Sequence, residues 1–397
     1  MSPDADPKPL RRWEAALLLW LSGNALRMTI LAVPPVLATI RDDFSLSATE
    51  VGLLSSVPPA LFAIASLGGS LLVMRLGLKH ALVGGLLLVA AGSALRGLAP
   101  TYAMLFITTI VMSTGVAIMQ PIMPTAVRQW MPQHIGTGTA IYTNGLLIGE
   151  ILPVMCAAAL VLPLVGGSWR MSLVAWSLPI LAIALVVGWM APATSNADRL
   201  LARESPRKWL PDWHKGLVWR LGLLFSCINT IYFSANAFLP IYLASAGRAD
   251  LIGSALTALN LGQLPASLLL LACADRIKRR MWPYVLSGTM SLAGVAGIVF
   301  DVGPRTIWWS GITGFADAAA LTIGLTLPPL LCKEEDVART AAGTFTISYG
   351  SAVVLAIVGG ALWDLIGIPM LAFAPIAAAA VALALVAMHM RRKGELI

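Results

Sequence analysis

Charge is scarce in this sequence. Only 12% of its 397 residues are Asp, Glu, Lys or Arg, against 58% hydrophobic residues, and the mean hydropathy is +0.82. A water-soluble chain of this length needs a more highly charged exterior, so the composition excludes a soluble globule and places the chain in a membrane. Other absences exclude chemistry. The four cysteines, Cys156, Cys227, Cys273 and Cys332, are far apart, with no CxxC pair and no metal-ligand spacing. The four histidines form no chelating cluster, so neither a metal nor another cofactor is expected. No phosphate-cradling glycine loop or nucleophile arrangement is present, which argues against an enzyme. The net charge of +8 is scattered through short connectors and gathers on no single face, so nucleic acid is not an expected partner.

What the sequence does contain is twelve apolar runs, near 14–38, 50–74, 80–99, 102–126, 137–163, 170–191, 217–244, 250–273, 282–300, 305–331, 339–363 and 367–390. Each is long enough for a helix to cross about 30 Å of hydrocarbon, and the glycines and prolines within them are tolerated where neighbouring helices satisfy the backbone. The expected fold is therefore an all-α membrane protein of twelve transmembrane helices. Lys and Arg set its orientation. The connectors on the side of the termini hold 21 of them, including Lys8, Arg75, Lys79, Arg128, Lys215 and Arg276, against five on the other side, Arg41, Arg96, Arg170, Arg248 and Arg305. The bias predicts cytoplasmic termini. The polar stretch 192–216 divides six spans (1–191) from six (217–397) and reads as a cytoplasmic linker with some amphipathic helix, in which Trp209 and Trp213 anchor at the interface.

A shift of 205 residues aligns Asn24 with Asn229, Pro35 with Pro240, Gly92 with Gly297, Pro124 with Pro329 and Gly138 with Gly343. One register held from the first span to the fifth implies two parallel six-helix repeats. Between the second and third runs stands Ser70-Leu-Leu-Val-Met74-Arg75-Leu-Gly77-Leu-Lys79, and between the eighth and ninth Cys273-Ala-Asp275-Arg276-Ile-Lys278-Arg279-Arg280. These resemble the two copies of the G-x-x-x-D-R-x-G-R/K-R/K motif of the major facilitator superfamily. Arg75, Gly77 and Lys79 fit the first copy, whereas Met74 stands at its acidic position and Ser70 at its leading glycine; Asp275 and Arg276 restore the acid-base pair in the second. The resemblance implies that all five act in gating. Within the superfamily, LRMTILAVPPVLATI, SATEVGLLSSVPPALFAIAS and GVAIMQPIMPTAV are similar to the cyanate transporter and 2-nitroimidazole exporter family. A fifth-run segment with Gly145, Gly149 and Pro153 also invites comparison with an exporter motif, but Glu150 occupies its proline position. Small residues there would equally serve close packing or a bend.

Arg27 is the charge that composition does not explain. It lies mid-run in NALRMTILAVPP, where exposure to lipid would cost at least about 2.5–3.5 kcal/mol, so it must face protein or a water-filled cavity, with Asn24 one turn away. Either it binds an anionic or acceptor-bearing substrate through its guanidinium fork, or it forms a structural ion pair. Glu150, central in the fifth run, is the nearest counter-charge in kind; protonation in alternation with pairing would couple transport to protons, and a structural lock is the equal alternative. Asp317 in the tenth run is the other deep acid, either a proton or cation site or a structural hydrogen-bond partner. Asn229, Tyr232 and Asn236 in the seventh run would orient a small polar solute or else satisfy neighbouring helices. Gln120, Tyr142 and Tyr349, with Asn144, Asn260 and Gln263, are further cavity candidates. Arg96 and Asp301 coincide in the repeat register near the outer ends of their runs and read as interface or gate residues.

Together these features predict a secondary transporter of the cell inner membrane that moves a small polar or anionic solute by alternating access, with proton coupling through Glu150 or Asp317. The alternative is an exporter of neutral nitrogen-containing compounds. The expected partners are the small-molecule substrate, membrane lipid and protons, and twelve helices suffice for a monomeric pathway.

Overall fold

In the computed structural model, the residues described are 10–46, 48–192 and 209–397. Most of the expected amphipathic linker, and Lys8, Arg199, Arg203, Arg207 and Lys208 among the orienting charges, lie outside them. The described residues form helices, turns and no strand. Twelve helical segments are long and apolar enough to cross a membrane: Arg12–Val36, Ser56–Leu76, Leu78–Gly97, Tyr102–Trp130, Ile135–Cys156, Trp169–Met190, Gly216–Ser245, Ala249–Ile277, Trp282–Phe300, Thr306–Leu331, Glu334–Ile366 and Pro369–Arg392. Large apolar side chains stand fully outward on them, among them Ile64, Leu185, Trp189 and Trp308. That surface would be untenable in water and is ordinary in lipid.

The chain divides into two compact units. One comprises Met1–Gln133, Ile141–Asp212 and Cys332–Gly343; the other comprises His134–Ala140, Trp213–Leu331 and Thr344–Ile397. Within the first, the third span packs on the fourth and the sixth, the second on the fourth, and the first on the fourth and the sixth. Within the second, the ninth packs on the tenth and the twelfth, the eighth on the tenth, and the seventh on the tenth and the twelfth. The neighbour pattern thus recurs six spans later, as two copies of one repeat require.

Among the described residues, three of the spans are interrupted as helices. The first runs as helix from Arg12 to Ala25, breaks at Leu26 and Arg27, resumes over Met28–Leu31 and ends in a 3₁₀ turn over Pro34–Val36. The eighth breaks at Gly262 between Leu261 and Gln263, and the tenth between Gly324 and Leu327. Pro265 removes the helical donor of the Leu261 carbonyl, and Pro328 and Pro329 remove those of Gly324 and Leu325, which accounts for the eighth- and tenth-span breaks. Pro34 and Pro35 act only at the end of the first span, and no proline lies within four residues after its break at Leu26 and Arg27.

Candidate translocation site

The first and fifth spans are brought together by three glycines. A side chain at Gly23 would strike the Tyr142 carbonyl, one at Gly145 the Trp20 carbonyl, and one at Gly149 the Asn24 carbonyl. Backbone-to-backbone contact of this kind is the small-residue packing expected inside a bilayer. It explains the fifth-span glycines and sets Glu150 directly after the residue that touches Asn24.

Across that contact Arg27 Nε lies 3.2 Å from Glu150 Oε1, with the two side chains only 12% and 13% exposed. The Arg27 guanidinium also sits over the Phe62 ring of the second span, 5.4 Å from its centroid. The pair therefore carries no net charge when both groups are ionised, and an aromatic face shares the cation. Arg27 is placed at the break itself, with φ −126°, and its carbonyl accepts from both Ile30 N and Leu31 N at 3.0 Å. Beside it Asn24 is 2% exposed, and neither Nδ2 nor Oδ1 has a hydrogen-bond partner among the described residues. One turn away, Trp20 Nε1 donates to Asn144 Oδ1 at 3.0 Å. Gln120 and Tyr142 are buried in the same unit.

In the second unit three of the neutral candidates are tied to one another. Tyr232 donates from its hydroxyl to Asn260 Oδ1 (3.0 Å), Asn260 Nδ2 donates to Asn236 Oδ1 (3.0 Å), and Asn236 Nδ2 returns to the Tyr232 carbonyl (2.9 Å). Asn229 Nδ2 donates to Ser348 Oγ at 2.7 Å. Tyr349 joins Phe233 and Phe345 in an aromatic cluster, with ring centroids 6.0 and 6.1 Å away. Asp317 is buried in the tenth span. Tyr232, Asn260 and Asn236 thus form a linked set of neutral donors and acceptors, which can exchange partners with a polar solute at little electrostatic cost.

Of the five gating candidates, Asp275 alone is richly bonded. Its carboxylate accepts from Gly136 N (2.9 Å), Thr137 N (3.2 Å), the Thr137 hydroxyl and Lys278 Nζ (3.2 Å), with His134 Nδ1 at 3.7 Å. It thus caps the first turn of the fifth span, whose amides have no helical partner, and Gly136 leaves room for the close approach. Arg75 and Arg276 are exposed and Lys79 half-buried. Gly77 turns the chain between the second and third spans at φ +78°, a conformation that favours glycine. Ser70, in the motif's glycine position, donates to the carbonyls of Leu67 and Trp209, each at 2.8 Å.

At the other end of the first unit, Arg170 pairs with Asp43 and lies over the rings of Phe44 and Trp169, 5.3 and 4.3 Å from their centroids. Hydrogen bonds from Arg170 and then from Trp169 Nε1 hold the Asp43 carboxyl below its usual range. Arg96 and Asp301, aligned by the repeat, have different surroundings. Arg96 is 2% exposed and donates from Nη1 to the Thr29 carbonyl at 3.0 Å, whereas Asp301 is partly exposed beside Arg305 (3.4 Å) and accepts from Trp309 Nε1 (3.3 Å). Sequence reasoning missed Phe62 as a platform for Arg27 and the bond from Arg96 to the first span. Neither has a local signal, since each depends on which helices become neighbours.

The profile of the Major Facilitator Superfamily matches residues 17–248, more than half of the sequence. The chain belongs to that superfamily. This facilitator-family protein is 27% identical to the 2-nitroimidazole transporter of Escherichia coli (strain K12), over 81% of this chain and 80% of the relative. It is also 27% identical to the cyanate transport protein CynX of the same organism, over 87% of this chain and 88% of that one. Its fold matches the facilitator transporter FucP in the outward conformation, with a TM-score of 0.69 at 14% identity, covering 94% of this chain and 98% of that one. It likewise matches the proton:xylose symporter XylE, with a TM-score of 0.74 at 13% identity, covering 96% and 95%. These findings make the chain a multi-pass membrane protein of a transporter family.

Proposed function

We propose that the protein is a secondary transporter that carries a small polar or anionic solute across the cell inner membrane by alternating access, with Arg27 and Glu150 as the paired groups on which substrate binding and proton coupling converge. The single observation that carries this reading is the buried ion pair at 3.2 Å between the first and fifth spans, placed at a break in the first. An interrupted helix exposes unpaired backbone groups at depth, as transporter sites commonly do. A buried ion pair is a poor stabiliser compared with apolar packing, so its presence calls for a use. An anion entering next to Asn24 would compete with Glu150 for the guanidinium. Protonation of Glu150 releases Arg27 to the anion, and the return of the empty carrier follows when the pair re-forms.

In this reading Asn24, Gln120 and Tyr142 from the first half, and Asn229, Tyr232, Asn236 and Tyr349 from the second, orient the solute, with Asp317 as a second proton site. The moving bodies are the six-helix halves 1–191 and 217–397, joined by 192–216. Both termini are cytoplasmic, lipid surrounds a monomer, and no covalent step is involved. Arg75, Gly77, Lys79, Asp275 and Arg276 gate the cytoplasmic end.

A second reading, export of a neutral nitrogen-containing compound, is favoured by the charge balance of the Arg27–Glu150 pair and by the substrate in the name of the 2-nitroimidazole transporter. Proteoliposomes presented with cyanate, nitrate, short carboxylates and neutral nitroimidazoles, with counterflow and proton movement recorded together, separate the two. Saturable anion counterflow with proton movement supports the first, and counterflow of only the neutral compounds supports the second.

A further inference from the structure

Arg96 is the largest fully buried side chain among the described residues and plays no part in the transport cycle just described. No carboxylate among the described residues pairs with it, and its Nε has no hydrogen-bond partner there. A guanidinium cannot escape burial by losing its proton, so a lone buried one, even in the last turn of a span, is costly unless it serves something. What it serves is visible in the backbone of the first span.

Pro34 and Pro35 have no N–H, so the carbonyls of Ile30 and Leu31 have no helical donor four residues on. Val33 N turns back to the Ile30 carbonyl instead, at 3.4 Å. In a regular helix that same N–H would serve Thr29. The Thr29 carbonyl is thereby left without its donor, two residues beyond Arg27, and Arg96 Nη1 fills the vacancy at 3.0 Å. The third span is fixed where it reaches across. Ser93 Oγ donates to the Leu173 carbonyl at 3.3 Å, and a side chain at Gly97 would strike the Arg170 carbonyl of the sixth span.

We propose that Arg96 is a positioning residue for transport: by bonding the Thr29 carbonyl orphaned by Pro34 and Pro35, it holds the interrupted first span in the form that presents Arg27 to Glu150. The transport part of the claim rests on the function proposed above, whereas the backbone part does not. Methionine at 96 would fill the space and leave the carbonyl unbonded; lysine would retain a charge and a donor.

Hydrogen–deuterium exchange of the purified protein tests the backbone part. Arg96→Met should speed exchange in segment 26–36 roughly tenfold, the scale of one lost bond to a charged donor, and leave the other spans unchanged. Arg96→Lys should restore much of the protection. Pro34→Ala gives Ile30 a donor and frees Val33 N for Thr29, so in that background Arg96→Met should have little effect on the segment. Unchanged exchange in 26–36, an equal rise in every span, or a lysine variant no better than methionine would overturn the proposal. Counterflow of cyanate and of 2-nitroimidazole then tests the coupling to Arg27: the loss caused by Arg96→Met should not add to that of Arg27→Ala. Fully additive losses would overturn the positioning role. A wild-type protein that moves neither probe would sink the substrate reading while the exchange pattern still decides what Arg96 holds.

Discussion

Gly149 and Asn24 lie in backbone contact, and that contact sets the distance between the charges on either side of it. Because a side chain at Gly149 would strike the Asn24 carbonyl, the first and fifth spans approach closely enough for Arg27 to reach Glu150 at 3.2 Å. The packing glycines and the ion pair are one arrangement.

Enlarging the neighbouring glycine should therefore disturb the pair without touching either charge. In Gly145→Val the new Cβ meets the Trp20 backbone, which cannot swing aside as a side chain would. Overpacking of this kind costs about 1–3 kcal/mol or more. Thermal unfolding in detergent should fall by that scale and counterflow should drop. A fully stable and active Gly145→Val protein would show that the close approach is dispensable.

Removal of the guanidinium tests the substrate side. A charge-assisted hydrogen bond contributes about 1.5–3 kcal/mol, so Arg27→Ala should raise the KM for an anionic solute by roughly 10- to 150-fold at normal membrane abundance. The KM for a neutral nitroimidazole should move far less. Equal effects on both would reduce Arg27 to a structural ion pair.

Much of this architecture is legible in the sequence, and what is not has a physical reason. Twelve spans follow from apolar runs whose length the bilayer dictates, and the shift of 205 residues anticipates the neighbour pattern that recurs in the two units. Arg27 and Glu150 are conspicuous because each is a charge where none is tolerated without a reason. The breaks at Leu26, Gly262 and Leu325 are harder to read, since glycine and proline occur throughout the spans and only some interrupt the helix. Phe62 and Arg96 are invisible as partners of the first span because no spacing within a helix reports which other helix lies beside it. Asp275 is nominated by its motif, but its bonds to Gly136 and Thr137 depend on the fold.

The Asp275 cap has its own test. Asparagine keeps one acceptor oxygen but loses the charge that faces Lys278 and the amides of the fifth span. Loss of a charged cap costs about 1–2 kcal/mol. Asp275→Asn should lower the unfolding temperature and expose a cysteine placed at Thr137 to a membrane-impermeant thiol reagent, in a background lacking the native cysteines. Unaltered labelling would separate the cap from gating.

The Asp43–Arg170 pair predicts a pH effect of definite sign. The carboxyl titrates near its ordinary value of 3.8 in the unfolded chain and lower in the folded one, held down first by Arg170 and then by Trp169. A depressed carboxyl stabilises the fold fully above the unfolded value and loses that contribution as pH falls through the folded one. Between pH 6 and pH 3 the wild type should therefore lose a component of thermal stability that Asp43→Asn lacks. Parallel curves for the two proteins would remove the pair from the stability account.

The central claim is that Glu150 carries the proton that frees Arg27. In proteoliposomes loaded and bathed with cyanate, Glu150→Gln should still exchange labelled for unlabelled solute. Under an imposed pH gradient it should neither accumulate the solute nor move protons, whereas the wild type does both. A Glu150→Gln protein that accumulates cyanate against its gradient with proton flux equal to the wild type would contradict the account.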